Sequence, residues 1–364
     1  MRFNGPRSSR HTISVRSFLP LNKISAKIEG ITVFNPLPPR RFDLVHAFNR
    51  IPIGTTPFIV GFESHLPRAY GLESTGYFRI LSGMLAGERC RAIVAISEYA
   101  RRQFMRQHTG RPWYESLIAK LHVRYPNFPI PPGLDAFVAK DGDPVRLVFV
   151  GNHFGRKGGS VAVRLAELAQ QRKFPLEVDI VSSIEVGSAS WTDPTRPEYW
   201  ERDLGLLKSL PSVRHHGSLP NSRVLALVKK AHFAMLPTLS DSFGYSVIEA
   251  MANYTPVIAT HQGALPEFIQ DDVNGILLPL ETDAYGEWKH IGRADRGSAA
   301  YEEVFDSAVN RLVNEAYTKL ETLMQSPATY RPMRLAARAT AEALFSAEKA
   351  CHFWDEFYCK VMPK

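Results

Sequence analysis

The chain has 364 residues, 45% of them hydrophobic and 22% charged, with a net charge of +8, which is typical of a globular protein long enough for two domains. No run approaches the roughly 20 apolar residues of a membrane-spanning helix, and the basic start MRFNGPRSSRHTISVRSF lacks the apolar segment of a signal peptide. The cysteines, Cys90, Cys351 and Cys359, show no metal-ligand spacing and suit a reducing cytoplasm, so we expect a cytoplasmic protein or one bound peripherally to a membrane.

The positive charge is concentrated in residues 1–143, which hold 20 lysines and arginines against 10 acids. This asymmetry indicates that the N-terminal part of the chain meets an anionic partner. Anionic lipid headgroups or a phosphorylated molecule fit best, and nucleic acid is disfavoured because no nucleic-acid-binding motif accompanies the charge. A solvated basic surface explains the same charge equally well.

The N-terminal half is predicted to alternate strands and helices. Buried strands are predicted at residues 57–62, 91–96 and 120–125, and residues 42–49 resemble a further strand before them. His46 lies near the end of the strand over 42–49, and Glu63 and His65 follow the strand over 57–62. Ser97 is well placed to cap the helix that carries Arg101. A proline-rich linker is then expected to start near residue 129 and to end near residue 144.

The second half opens with a strand over 146–150 and a glycine-rich loop over 151–159, GNHFGRKGG. A buried strand followed by a glycine-rich loop and a helix start is an anion-binding arrangement. The loop also supplies two cations, Arg156 and Lys157. A polar segment over 184–200, which contains Trp191 and Trp200, is predicted to be a loop.

Residues 233–277 carry two acids around one helix start. An apolar strand over 233–236 leads into a polar loop with Asp241, and Gly244 allows close backbone approach by a ligand. The helix that follows carries Glu249. The free N–H groups and the dipole at a helix start favour an anion such as a phosphate.

Asp241 and Glu249, with SFGYSVI between them and AMANYTPVIAT and GALPEFI after them, resemble the signature of glycosyltransferase family 4, retaining enzymes of the GT-B fold. The resemblance implies that the first acid holds hydroxyls of a donor sugar and that the glutamate holds the ribose of the nucleotide. It also implies that Phe243, Gly244 and Tyr245 face the diphosphate. The family's first acid is usually a glutamate, so Asp241 is shorter by one methylene.

The glycine-rich loop resembles the phosphate-binding element of the same family. The resemblance implies that Lys157 neutralises the donor diphosphate, with Gly151 at the start of the loop. Asn152 stands where the family has an arginine, and we expect Arg156 to compensate from the other end of the loop. Fixed cations at this place would stabilise the charge that develops on the leaving diphosphate.

The N-terminal half resembles the family more loosely, through FDLVHAFN and AISEYARR. The resemblance places His46 and Arg101 on the acceptor side. Related enzymes carry a histidine directly after the second strand, where this chain has Glu63, with His65 two residues later. We expect Glu63 and His65 to act with Asp241 in catalysis, Glu63 by accepting a hydrogen bond or the proton of the acceptor hydroxyl. The alternatives are an ion pair of Glu63 with Arg68 and a purely structural His46.

These observations predict an α/β protein of the GT-B fold, with two Rossmann-like domains facing each other across a cleft. The predicted domains are an N-terminal domain over 1–143, a nucleotide-sugar domain over 144–345, and a C-terminal helix over 346–364 that packs back on the N-terminal domain. The family's usual glycine-rich loop near the start is missing, so the first unit of the N-terminal domain is expected to be trimmed.

The predicted function is retaining transfer of a sugar from a UDP- or GDP-sugar to the hydroxyl of a glycan or lipid-linked acceptor, in assembly of bacterial cell-surface polysaccharide or glycolipid. The expected location is the cytoplasm or the inner face of the membrane. No cofactor or metal is expected, because the acidic pair Asp141 and Asp143 lies in the linker. The alternatives are a non-catalytic subunit of a glycan-assembly complex and a sugar-nucleotide epimerase of the same fold.

Overall fold

A computed structural model describes residues 4–19, 30–34, 42–135, 137, 142–325 and 327–362. The chain divides into two compact units: unit 1 contains Met1–Pro129 and Leu344–Lys364, and unit 2 contains Ile130–Ala343. The sequence placed the first division at residue 143 instead. The linker goes with unit 2 because both carboxylate oxygens of Asp135 accept hydrogen bonds from Arg334, at 2.7 and 2.8 Å.

The described residues of unit 1 form two sheets. Its strands are β1 (Phe18–Leu19), β2 (Ile31–Phe34), β3 (Val45–Phe48), β4 (Ile51–Pro52), β5 (Phe58–Phe62), β6 (Cys90–Ala95) and β7 (Leu121–Val123), and its first helices are α1 (Gly76–Ala86), α2 (Glu98–His108) and α3 (Tyr114–Ile118). The larger sheet is parallel, in the order β3-β5-β6-β7, and the smaller has the order β1-β2-β4. The larger sheet contains all four predicted strands: β3, β5 and β7 are shorter than predicted, and β6 is shifted by one residue. Residues 20–29 and 35–41 lie outside the described residues, so the predicted trimming of the first unit stays a prediction.

Unit 2 contains a six-stranded parallel sheet. Its strands are β8 (Val145–Val150), β9 (Leu176–Val181), β10 (Val213–His215), β11 (Phe233–Leu236), β12 (Val257–Thr260) and β13 (Gly275–Leu278), and its helices are α4 (Gly159–Gln171), α5 (Glu201–Ser209), α6 (Asn221–Lys230), α7 (Tyr245–Met251), α8 (Ala299–Met324) and α9 (Pro327–Leu344). The strand order is β10-β9-β8-β11-β12-β13, which is the Rossmann order. The order reverses between β8 and β11, and ligands bind such sheets at the carboxyl ends of the strands at this switch point.

Helix α4 is fixed firmly against the rest of unit 2. Its apolar side chains lie in the same buried cluster as residues of β8 and α8. Its Arg164 is buried and donates hydrogen bonds to Asp203 at 2.7 Å and to Asp306 at 2.6 Å. Because a buried charge that is paired and hydrogen-bonded tolerates little displacement, the glycine-rich loop that precedes α4 starts from a rigid element.

The C-terminal helix α10 (Ala347–Val361) belongs to unit 1. It buries Trp354 and Phe357 in a cluster with Ile59 of β5 and with residues of β6, which confirms the predicted return of this helix to the N-terminal domain. A break at residues 345–346 separates α9 from α10, close to the predicted start of the C-terminal helix at residue 346. The break is held by Phe128, whose N–H donates to the Phe345 carbonyl at 2.7 Å and whose carbonyl accepts from the Ala347 N–H at 3.1 Å.

Among the described residues, no helix is both long enough and apolar enough to cross a bilayer.

Candidate functional site

The candidate site of unit 2 is formed by two loops at the switch point of the sheet. One loop runs over residues 151–158, between β8 and α4, and the other over residues 237–244, between β11 and α7. Since β8 and β11 are hydrogen-bonded neighbours, both loops leave the same edge of the sheet side by side. The two loops, and with them Lys157 and Asp241, are therefore brought together in space.

Two glycines allow the loops to pack this closely. Gly158 caps α4 with φ +91°, and a Cβ placed on it would lie 2.3 Å from the Pro237 carbonyl oxygen of the other loop. A Cβ on Gly151 would lie 2.6 Å from Cδ of Lys157. The first glycine thus permits contact between the two backbones, and the second lets the lysine side chain lie across the start of its own loop.

Lys157 and Asp241 form an ion pair where the loops meet. The Lys157 Nζ donates a hydrogen bond to Asp241 Oδ2 at 2.8 Å, and the two side chains are 23% and 10% exposed. Asp241 Oδ1 accepts from the N–H groups of Phe243 at 3.1 Å and Gly244 at 2.9 Å. Burial alone would raise the pKa of Asp241, but Lys157, Arg156 and the Phe243 N–H outweigh it, so the pKa is lowered and the carboxylate is charged at neutral pH.

Arg156 is buried beside this ion pair. Its Nη1 donates to the Ser240 carbonyl at 2.6 Å, and its guanidinium lies 4.9 Å from the centre of the Trp191 ring. Burial lowers the pKa of Arg156, with Asp241 and Asp193 opposing the shift, yet a guanidinium stays charged in proteins. The arginine therefore adds a second fixed positive charge to the loop, and an indole ring covers it. Its predicted role toward a donor diphosphate stays a prediction.

Glu249 lies on α7, and its Oε1 accepts a hydrogen bond from Asn221 Nδ2 at 3.2 Å. Burial raises the pKa of Glu249, and the Asn221 contact opposes the shift. Gly244 precedes the helix with φ +83°, and the ring of Phe243 packs on that of Tyr245, centre to centre 5.4 Å. Phe243, Gly244 and Tyr245 thus lie at the start of α7, and Glu249 lies about one helical turn further along it.

Asn152 lies on the exposed outer part of the glycine-rich loop. Its Oδ1 accepts from the Ser183 N–H at 3.4 Å, and its carbonyl accepts from the Glu185 N–H at 2.8 Å. Asn152 thus fixes the glycine-rich loop to the segment that follows β9. A contact to a donor stays a prediction for this residue.

The predicted residues of unit 1 have internal partners. His46 Nδ1 is 2.8 Å from the Tyr358 hydroxyl and its ring packs on Trp354, while burial lowers the pKa of His46 to about 4. The Glu63 carboxylate forms an ion pair with Arg68, one of the two readings that the sequence left open.

Two further residues of unit 1 were predicted to take part. The ring of His65 packs on that of Tyr70 at 5.5 Å, and burial, aided by Arg106, lowers the pKa of His65. Arg101 is exposed and pairs with Glu98 at 3.0 Å. Ser97 caps α2, the helix that carries Arg101, as predicted, because its Oγ accepts a hydrogen bond from the Ala100 N–H at 3.0 Å. The proposed roles of His65 and Arg101 toward an acceptor stay predictions.

Within the ranges that the structure describes, no group of three or more histidine, cysteine or acidic side chains is placed to hold a metal ion. The acidic pair of the linker includes Asp141, which lies outside the described residues.

Sequence reasoning missed two contacts at the site. Gln262 Nε2 donates to the Asp241 carbonyl at 3.2 Å, and Trp191 Nε1 donates to Ser240 Oγ at 3.1 Å. A tryptophan in an otherwise polar segment was a usable signal for the second contact. Nothing local in the sequence signals the first, because Gln262 follows a different strand, β12.

Comparison with known proteins finds sequence similarity within unit 2. Residues 144–287 match the family model described as Glycosyl transferases group 1. The D-inositol 3-phosphate glycosyltransferase of Streptomyces griseus is 31% identical over 152 residues, which cover 42% of this chain and 32% of the relative. The matching segment thus spans about a third of the length of this relative.

Solved structures share the fold over most of the chain. A glycosyltransferase from Rickettsia africae has a TM-score of 0.57 at 16% identity, covering 88% of this chain and 77% of the other. Anabaena HepE, solved in complex with UDP and glucose, has a TM-score of 0.56 at 14% identity, covering 84% of this chain and 72% of the other. The fold is GT-B, with two Rossmann-like units, as predicted. Residues 144–287 of unit 2 are the part similar to glycosyl transferases of group 1.

Proposed function

We propose that the protein is a retaining glycosyltransferase of family 4 type that moves a sugar from a nucleoside-diphosphate sugar to an acceptor hydroxyl. The observation that carries this proposal is the meeting of Lys157 and Asp241 at the switch point of a Rossmann sheet, in the segment similar to group 1 glycosyl transferases. A cation on a glycine-rich loop before a rigid helix suits a diphosphate. The complex of Anabaena HepE with UDP supports the choice of a nucleotide ligand.

The proposed roles follow the chemistry of each side chain. Lys157 and Arg156 hold the diphosphate with the backbone of Gly151 and Asn152, and they stabilise its charge as the glycosidic bond breaks. Glu249 accepts hydrogen bonds from the ribose hydroxyls, and Asp241 accepts them from the sugar. The backbone of residues 243–245 lies against the diphosphate. No protein nucleophile, metal or other cofactor takes part in this scheme.

The acceptor is proposed to be an anionic glycan or lipid-linked molecule, used in assembly of cell-surface polysaccharide or glycolipid in the cytoplasm or at the inner face of the membrane. The excess of basic residues over 1–143 supports an anionic acceptor or membrane surface. Glu63 and His65 are proposed to act on the acceptor hydroxyl, and His46 and Arg101 to lie on the acceptor side. For Glu63 this requires release of its ion pair with Arg68.

The test begins with binding of UDP and GDP by calorimetry, followed by release of nucleoside diphosphate from UDP-glucose and GDP-mannose with and without lipid extract. Lys157→Ala removes a charge-assisted contact, so we expect nucleotide affinity to fall about 10- to 100-fold. Lys208→Ala, on the exposed face of α5, is the matched control and should bind as the wild type does.

Three outcomes would contradict the proposal. If neither nucleotide binds, or if Lys157→Ala binds as tightly as Lys208→Ala, the donor site is wrong. Binding without turnover across a broad panel of nucleotide-sugars and acceptors would instead favour a non-catalytic subunit.

A further inference from the structure

Trp191 is an exposed aromatic side chain on a buried backbone. The residue is 50% exposed, whereas Ser190, Thr192 and Asp193 beside it are 2%, 0% and 0% exposed. Aromatic surface that is exposed to water costs free energy unless a partner covers it. Single exposed apolar residues are common, so exposure alone does not define a binding site. The contacts of the ring show whether it belongs to one.

The backbone that carries Trp191 is fixed by contacts on both sides. The Tyr301 hydroxyl donates to the Thr192 carbonyl at 2.7 Å, and Arg296 donates to the carbonyls of Ser190 and of Asp193, the latter at 2.9 Å. The Gly292 N–H donates to the carbonyl of Trp191 itself at 3.2 Å. A ring presented by such a backbone is held in place before any ligand arrives, which is what a binding surface requires.

The orientation of the indole is also fixed toward the candidate site. Its Nε1–H donates to Ser240 Oγ at 3.1 Å, and one ring face carries the Arg156 guanidinium at 4.9 Å. Ser240 directly precedes Asp241, and Arg156 directly precedes Lys157. The ring therefore contacts both neighbours of the ion pair, while half of the residue stays open to solvent.

We propose that Trp191 is a wall of the donor site that packs against the sugar ring of the nucleotide-sugar. This inference rests on the proposed function and deepens it by assigning a contact for the transferred group. The C–H face of a pyranose is a suitable partner for an aromatic face, because both surfaces are apolar and flat. Asp241 alone would recognise only hydroxyls, so Trp191 supplies the apolar half of the recognition.

The position of Trp191 favours the sugar over the nucleobase. Glu249, the proposed ribose ligand, has its side-chain partner on α6, at Asn221. Trp191 is bound instead to Ser240, next to the proposed sugar ligand. A base attached to the ribose lies beyond Glu249, so the group on the Asp241 side of the diphosphate is the sugar.

The test compares each nucleotide with its own sugar derivative, namely UDP with UDP-glucose and GDP with GDP-mannose. In Trp191→Ala we expect affinity for the sugar nucleotide to fall about tenfold, as for loss of a stacking contact, and affinity for the free nucleotide to change less than about twofold. Trp191→Phe keeps an apolar ring and should retain both affinities to within about threefold. Leu335→Ala, an equally exposed apolar residue on α9, is the control and should change neither.

Fluorescence gives a second readout that a structural role would not produce. Of the five tryptophans, Trp200, Trp288 and Trp354 are at most 3% exposed and Trp113 is half-buried. The sugar nucleotide should therefore change the emission of the wild type by contact with Trp191, and Trp191→Phe should lose that change while still binding.

The outcomes separate the two proposals. Equal losses for the free nucleotide and its sugar derivative, or no loss for either, would overturn the sugar contact and leave the proposed function standing. Failure of the wild-type protein to bind any of the four nucleotides would overturn both.

Discussion

At the scale of single residues, Asp241 already binds the cation and the backbone N–H groups that an anionic ligand would use. One oxygen accepts from Lys157 and the other accepts from the N–H groups of Phe243 and Gly244. A carboxylate that is paired in this way neutralises the lysine and competes with a phosphate for it. The same residue is the proposed ligand of the sugar, so binding of the donor must exchange the internal contacts of Asp241 for contacts with the donor.

Asp241→Asn tests this competition. The amide keeps the shape and an oxygen for the two N–H groups but removes the negative charge, so Lys157 is free for the diphosphate. We expect affinity for UDP or GDP to rise about three- to tenfold, within the 0.5–3 kcal/mol range of close charge coupling, while sugar transfer falls. Calorimetry and turnover measure the two effects.

The control for this change is Asp295→Asn, which removes the carboxylate of an exposed ion pair with Arg293 and should alter neither quantity. Weaker nucleotide binding by Asp241→Asn would show that Asp241 positions Lys157 for the phosphate instead of competing with it.

At the scale of elements, the site depends on how closely the loop before α4 approaches the loop after β11. Gly158 provides that approach, because its φ of +91° and the Pro237 carbonyl 2.3 Å from a Cβ position exclude other residues. The neighbouring carbonyl belongs to the backbone and cannot move aside as a flexible side chain would. The start of α4 is thus fixed by Gly158, a residue without a side chain.

Gly158→Ala should destabilise unit 2 by about 2 kcal/mol or more, since it adds both left-handed strain and a backbone clash. Gly205→Ala is the matched control, for which we expect the opposite effect on the free energy of unfolding. Gly205 lies inside α5 with nothing within 4 Å of a Cβ position, so alanine should stabilise by about 0.5–1 kcal/mol. Urea unfolding of both variants measures the difference, and equal effects would show that the loops do not meet as described.

At the scale of the whole molecule, the sequence predicted the elements and the return of the C-terminal helix, but not the individual contacts between distant residues. Each strand, glycine-rich loop and helix start lies within about a dozen residues, so periodicity and turn residues predict it. The ion pair joins residues 84 positions apart, and the His46–Tyr358 contact joins residues 312 apart. The first contact follows from strand order and the second from the packing of α10 on the sheet, and no local pattern encodes either. The resemblance placed Lys157 and Asp241 in one site, but their direct contact and the cover that Trp191 forms needed the structure.

The division into two units also predicts which strands are destabilised by a substitution in one of the units. Trp354 of α10 is 3% exposed and packs with β5 and β6 of unit 1, so Trp354→Ala should cost unit 1 about 3–5 kcal/mol. His352→Ala, on the exposed side of the same helix, should cost little. Hydrogen exchange followed by mass spectrometry measures local opening, and we expect faster exchange in β3, β5 and β6 with unchanged exchange in β8–β13. Because unit 2 has its own sheet and buried core, faster exchange in β8 and β11 as well would contradict the division of the chain into two separately stabilised units.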